Sequence, residues 1–80
     1  ASKRIDLRGY RVQEALSEVE QFLDNAVAAN IKHVEILHGK GTGALRTAIQ
    51  DFLRGYPEVE DFDEADWQAG GAGVTLVELK

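Results

Sequence analysis

The chain has no cysteine and only two histidines. Disulfides and thiolate metal sites are therefore excluded. Two histidines as the only soft ligands also argue against a structural zinc site. No apolar run approaches the roughly 18 residues that span a bilayer, and no secretory apolar core is visible. A cytoplasmic location with no membrane partner is the expectation. What is present suits a globular domain: 44% hydrophobic and 29% charged residues do not make a disordered tail. Eighty residues form one domain over 1–80. A chain of that size buries about 60–65% of its unfolded surface, enough for one modest core.

The formal net charge is −5, which as an average argues against a polyanionic partner. The distribution says otherwise. Six of the 14 acidic residues fall between Glu58 and Asp66, where there is no basic residue. Elsewhere nine basic residues meet eight acidic ones, and Ala1–Arg11 holds four basic and one acidic. This predicts a dipolar domain whose basic end binds a polyanion weakly and in one orientation.

Arg4 to Arg8 alternates polar and apolar, which predicts a strand with Ile5 and Leu7 on one face and Asp6 and Arg8 on the other. Val12, Ala15, Leu16, Val19, Phe22, Leu23, Ala26 and Val27 recur at helical spacing, and Asn30 suits the end of that helix. Ile31–His38 predicts a second strand with Val34 and Ile36 inward. Glycines 39, 41 and 43 interrupt regular structure. A helix from Ala44 to Arg54 follows, capped by Thr42 or Gly43 and stopped by Gly55 and Pro57. Val59–Trp67 reads as an acidic edge strand, with a loop as the alternative and Val59 and Phe62 as anchors. Gly70–Gly73 reads as a turn and Val74–Leu79 as a last strand. The order is βαβαββ, an α/β fold. Its first two strands are parallel through a right-handed helical crossover, and its last two form an antiparallel hairpin.

In such a sheet, ligands bind beyond the carboxyl ends of the parallel strands. Those ends carry Arg8, Arg11, His38 and Lys40, with Arg46 one turn into the second helix. The loop Gly39-Lys40-Gly41-Thr42-Gly43 leads into a helix amino terminus, a place for an anion. Its lysine precedes the last two glycines, so it is neither a nucleotide-triphosphate loop nor a dinucleotide fingerprint. His38 is a candidate general acid or base, since an imidazole exchanges protons near neutral pH; the bland alternative is a strand-end histidine bonded to a backbone carbonyl. Asp6 is a candidate for orienting or deprotonating water, or for holding a divalent metal; otherwise it pairs with Arg8 or Arg11. Tyr10 either stacks on an unpaired base or packs locally. Trp67 reads as a cap on the core edge, and His33 as an ordinary strand residue.

These segments resemble the small MutS-related (Smr) domain. Ile5-Asp6-Leu7-Arg8-Gly9 is similar to that family's LDLHG box, and His38 to Gly43 with Leu45-Arg46 matches its HGKGTGxLR box. Gly70 to Leu79 resembles its closing GGxGxTxVxL segment. The arginine form of the first box looks like the domain at the carboxyl end of a bacterial MutS paralogue, which makes the chain a piece of a longer protein. The resemblance implies a mixed four-stranded sheet with two helices packed on it, as in the carboxyl-terminal domain of translation initiation factor 3. It also implies binding of DNA, branched DNA included, or of structured RNA and the ribosome, by a domain that is monomeric on its own. Nicking endonuclease activity with Asp6 and His38 catalytic is implied as well, in a parent that suppresses homologous recombination or acts on collided ribosomes. Arg8, Arg11, Gly39, Lys40, Gly41, Thr42, Gly43 and Arg46 would hold the phosphate. A divalent cation such as Mg or Mn is a candidate cofactor, and no ATP site is expected. Many nuclease members carry histidine where this chain has Arg8, which cannot exchange a proton near neutral pH but can grip a phosphate bidentately.

Overall fold

A computed structural model describes residues 3–65 and 73–80. Its elements are β1 (Arg4–Asp6), α1 (Val12–Ala28), β2 (His33–Leu37), α2 (Ala44–Arg54), β3 (Val59–Glu64) and β4 (Val74–Leu79). The strands form one mixed sheet in the order β1-β2-β4-β3. β1 runs parallel to β2, with Ile5 opposite Ile36. β4 is antiparallel to both neighbours, with Val77 opposite Val34 on one side and Phe62 on the other. This is the α/β arrangement the patterning predicts. Trp67 and residues 70–72 lie outside the described residues.

Apolarity sorts the strands. β2 and β4 carry the buried Val34, Ile36, Val77 and Leu79 and take the centre. β1 is three residues long, and β3 is acidic with a register shift between Val59 and Asp61. Shortness, charge and a bulge are three ways of making a safe edge. Val34, Ile36, Val77 and Leu79 share one face of the sheet, and they form a single core with Ala15, Val19, Leu23 and Ala26 of α1 and Ile49 and Leu53 of α2. Both helices therefore cover the same face. His33, Glu35, Leu76 and Glu78 alternate with the core positions and face away.

Strand and helix ends fall where side chains and backbone take over the hydrogen bonds. α1 ends as the asparagine predicts: Asn30 has φ 59°, and the N–H groups of Asn30 and Ile31 donate back to Val27 O and Ala26 O. That double closure is a Schellman end. It uses the Ile31 amide, so β2 begins at His33 rather than at Ile31. β1 stops at Asp6 rather than Arg8, because the Asp6 carboxylate accepts the Arg8 N–H and turns the chain. α2 ends at Arg54 as expected, yet Gly55 has φ −96° and is not left-handed. Short backward bonds from the amides of Gly55 and Tyr56 close that end instead. Tyr56 Oη donates to the Asp24 carboxylate, tying the end of α2 to α1.

Ile36 is fully buried at the sheet centre. Ile36→Ala should cost about 2–5 kcal/mol by the cavity it leaves. Glu60→Ala on the exposed edge should stay within about 0.5 kcal/mol. Urea unfolding of both variants checks the contrast.

Candidate nucleic-acid interface

Parallel pairing of β1 with β2 places their carboxyl ends side by side, and the pairing continues one residue on, where Leu7 N–H donates to Leu37 O at 2.7 Å. The loops that follow, residues 8–12 and 38–46, line one open cleft of about 650 Å³. Arg8, Arg11, Lys40 and Arg46 all lie on its wall, as the sequence predicts, with the glycine loop between them. Tyr10 also lines it and is 43% exposed. Asp6 is not on the wall.

Asp6 stands behind Arg8. Arg8 Nε donates to Asp6 Oδ1 at 3.1 Å and Nη2 to Oδ2 at 2.9 Å, a bidentate pair. The Arg8 backbone N–H adds a third bond to Oδ1 at 3.0 Å. These bonds, the side-chain one foremost, hold the Asp6 carboxyl below the ordinary aspartate range and raise Arg8. Asp6 is thus an ionised anchor whose lowered basicity makes it a weak proton acceptor. Its grip uses one edge of the guanidinium and leaves N–H groups on Nη1 and Nη2 for another anion. The Arg8 stem also leans on the neighbouring loop. A β-carbon on Gly39, which has φ +82°, would meet Arg8 Cγ at 3.2 Å, so glycine is required there both for conformation and for room.

The glycine loop hangs from β4. The N–H groups of His38 and Gly39 both donate to Gly73 O at 3.0 Å. Gly43 is left-handed, φ 87°, and opens α2. Thr42 Oγ1 accepts the Ala44 N–H at 3.3 Å. The amides of residues 40–43 take no partner among the described residues. They are free donors at the positive end of an 11-residue helix.

His38 is 3% exposed, and both its ring nitrogens are engaged. Nδ1 meets Gly39 O at 2.9 Å and Nε2 meets Thr75 Oγ1 at 2.8 Å. Gln50 Nε2 donates to the same Thr75 oxygen at 3.4 Å. Sequence reasoning treats Thr75 only as part of a strand and passes over Gln50. The available signal was alternation: Thr75, Val77 and Leu79 share the core face of β4, and a hydroxyl at a core position asks for a partner.

Arg46 is shared with the acidic strand, its Nη1 donating to Glu64 Oε1 at 2.8 Å. Among the described residues no three of His, Asp or Glu gather to hold a metal ion. The Asp6 carboxylate is already held by Arg8, so among the described residues it does not form part of a ready-made divalent-cation site. A second groove, about 440 Å³, lies on the helix-free face of the sheet, where Glu35, Asp61, Asp63 and Glu78 repel a polyanion. Among the described residues no helix is long and apolar enough to cross a membrane.

The Asp6–Arg8 pair sets a pH dependence. Because Asp6 titrates low in the folded chain, the pair's contribution is complete above the ordinary aspartate range and is lost as pH falls through the lowered Asp6 value. A carboxyl-detected NMR titration should place Asp6 below the ordinary aspartate range, and Arg8→Gln should move it up towards that range.

The Smr domain family model matches residues 5–80. The chain is 54% identical over 76 residues to a protein named Endonuclease MutS2 from Leuconostoc mesenteroides, covering 95% of this chain and 10% of that one. It is 51% identical over 79 residues to the Endonuclease MutS2 of Bacillus cytotoxicus, again 10% of the relative's length. It thus spans about a tenth of the curated relatives it matches. The crystal structure of the Smr domain of Thermus thermophilus MutS2 superposes with a TM-score of 0.96 at 51% identity, over 99% of each chain. YdaL, a stand-alone small MutS-related protein from Escherichia coli, superposes at 0.92 with 26% identity, over 98% of this chain and 64% of that one. The two boxes on the cleft and the βαβαββ sheet behind them are those of one family: this chain is an Smr domain, similar to those of the MutS2 endonucleases.

Proposed function

We propose that the domain binds the phosphate backbone of DNA in this cleft and nicks it. The observation that carries the reading is the convergence of Arg8, Arg11, Lys40 and Arg46 with the free loop amides at the carboxyl ends of two parallel strands. Fixed donors of that kind stabilise charge that builds on a phosphate under attack, and they need no rearrangement to do so. Arg8 offers the outer edge of its guanidinium while Asp6 keeps the inner one. Lys40 adds a mobile point charge, and the amides of 40–43 donate to a phosphate oxygen. Arg46 joins them if the phosphate competes successfully with Glu64. The names of the relatives support the chemistry: they are called endonucleases. Asp6 and His38 remain the candidates for water and proton handling. His38 would first have to give up its bond to Gly39 or Thr75, and Asp6 would act from behind the Arg8 guanidinium it holds. In the longer proteins that carry it, the domain would act on branched DNA and limit homologous recombination.

One observation favours a second reading. Both proton-transfer candidates are already partnered, and neither presents a free group to the cleft. A domain that grips phosphate without cutting it, and so targets a longer protein to branched DNA or ribosomal RNA, needs nothing more than the cleft offers.

A plasmid-nicking assay with and without EDTA separates the two. Nicking by the unmodified chain that Lys40→Ala, Asp6→Ala and His38→Ala each lower supports the nuclease. Binding without cleavage supports the targeting module. Nicking that survives all three substitutions points to a contaminant. Both readings require log affinity to fall with log salt, by about 0.9 per phosphate contacted on duplex DNA. A flat salt response would remove both.

A further inference from the structure

Behind the phosphate loop lies a polar chain in the core. Thr75 is fully buried and His38 nearly so, and among the described residues no buried side-chain nitrogen or oxygen lacks a partner. For a neutral ring the chemistry of the partners sets the direction of the bonds. A carbonyl only accepts, so Gly39 O takes its hydrogen from His38 Nδ1. An amide nitrogen only donates, so Gln50 Nε2 gives to Thr75 Oγ1. The neutral ring then accepts at Nε2, and the donor is the Thr75 hydroxyl. The chain runs from Gln50 through Thr75 and His38 to the carbonyl of Gly39.

That carbonyl belongs to the same peptide plane as the Lys40 N–H. The peptide is trans, so the two groups point in opposite directions. Holding Gly39 O against the buried ring turns the Lys40 N–H away from it. That amide is one of the loop donors without a partner among the described residues. Gly39 N–H is meanwhile fixed on Gly73 O, so both peptide planes of this glycine are pinned from β4. Arg8 then packs its stem on the glycine so held.

We infer that Thr75 and Gln50 are positioning residues of the phosphate loop: acting through the His38 tautomer, they fix the Gly39–Lys40 peptide with its N–H directed away from the core. The inference rests on the reading of the cleft as a phosphate site. On this account His38 serves substrate by aiming a backbone amide, and its place in the loop box follows from that task. Thr75 selects the ring tautomer by donating to Nε2. Gln50 orients the hydroxyl by occupying its lone pair.

Thr75→Val keeps the branched shape and removes the hydroxyl, leaving His38 Nε2 without a donor. The 80-residue chain carrying it should bind a fluorescein-labelled DNA duplex about tenfold more weakly, with a salt slope lower by about one phosphate contact. Thr75→Ser should restore both. Gln50→Leu should shift affinity the same way by about threefold, and it tests the chain without opening β4. Nitrogen-15 spectra of the His38 ring report the tautomer directly: the proton should sit on Nδ1 in the unmodified chain and redistribute in Thr75→Val. Wild-type affinity and salt slope in a Thr75→Val chain whose tautomer has changed would overturn the inference alone. So would a weakened affinity that Thr75→Ser fails to restore. Absence of DNA binding by the unmodified chain would overturn the cleft reading and this inference with it, and the ring spectra would then show whether the hydrogen-bond chain itself stands.

Discussion

The parallel pairing of β1 with β2 is the constraint on which the rest depends. A parallel pair cannot be closed by a tight turn, so the chain must cross over through α1. That crossover covers one sheet face and buries Val34 and Ile36 beneath it. It also leaves both carboxyl ends at one edge of the molecule. Two loops separated by some thirty positions in the chain then meet, with the Arg8 stem so placed that a β-carbon on Gly39 would meet it. An antiparallel arrangement of the same two strands would send Arg8 and Lys40 to opposite ends. The site therefore follows from the register Ile5 to Ile36 more than from any single charged residue.

Within the cleft the groups sort into two layers. Arg8, Arg11, Lys40 and the loop amides face solvent and are free to meet an anion. Asp6 and His38 stand behind them, each bonded to a member of the outer layer: Asp6 to the Arg8 guanidinium and His38 to the Gly39 carbonyl. In this conformation each of the two thus supports an outer group. An arginine fork held on one edge loses less freedom when the other edge binds, and a peptide plane held by its carbonyl presents its N–H without searching for it. This explains how a domain with Arg8 in place of histidine remains coherent. The position works as a held cation, and no proton needs to leave it.

Much of this was legible in the residues. Periodicity and apolar runs located five of the six elements, and α2 and β4 end where they predict; β3 was read from its charge as an edge strand, with a loop as the alternative. The strand ends were less legible, because they depend on side chains and backbone that end a strand early: the Asp6 carboxylate at β1 and the Ile31 amide at β2. Strand order was legible in part, since the acidity of β3 marks it as an edge strand and so leaves β4 to pair with β2. The greater apolarity of β4 decides it. The cations and glycines of the cleft were visible as a motif. The buried partners were not, because Thr75 and Gln50 are ordinary residues whose meaning arises only when β4 and α2 close on His38.

Charge separation completes the picture. β3 carries Glu60, Asp61, Asp63 and Glu64 along one sheet edge, and β1 lies at the other. The width of the sheet therefore divides an acidic flank from Arg4 and Arg8. A polyanion approaching such a molecule is repelled on one side and drawn to the other, so it arrives already oriented towards the cleft. Arg46 sits where the two fields meet, bonded to Glu64. A phosphate entering the cleft would have to take that arginine from a carboxylate, whereas Arg8 would offer it the guanidinium edge that Asp6 leaves open. A net charge of −5 is thus compatible with a polyanion as partner, because the acidic flank would set the direction of binding and the basic loops would provide the contact.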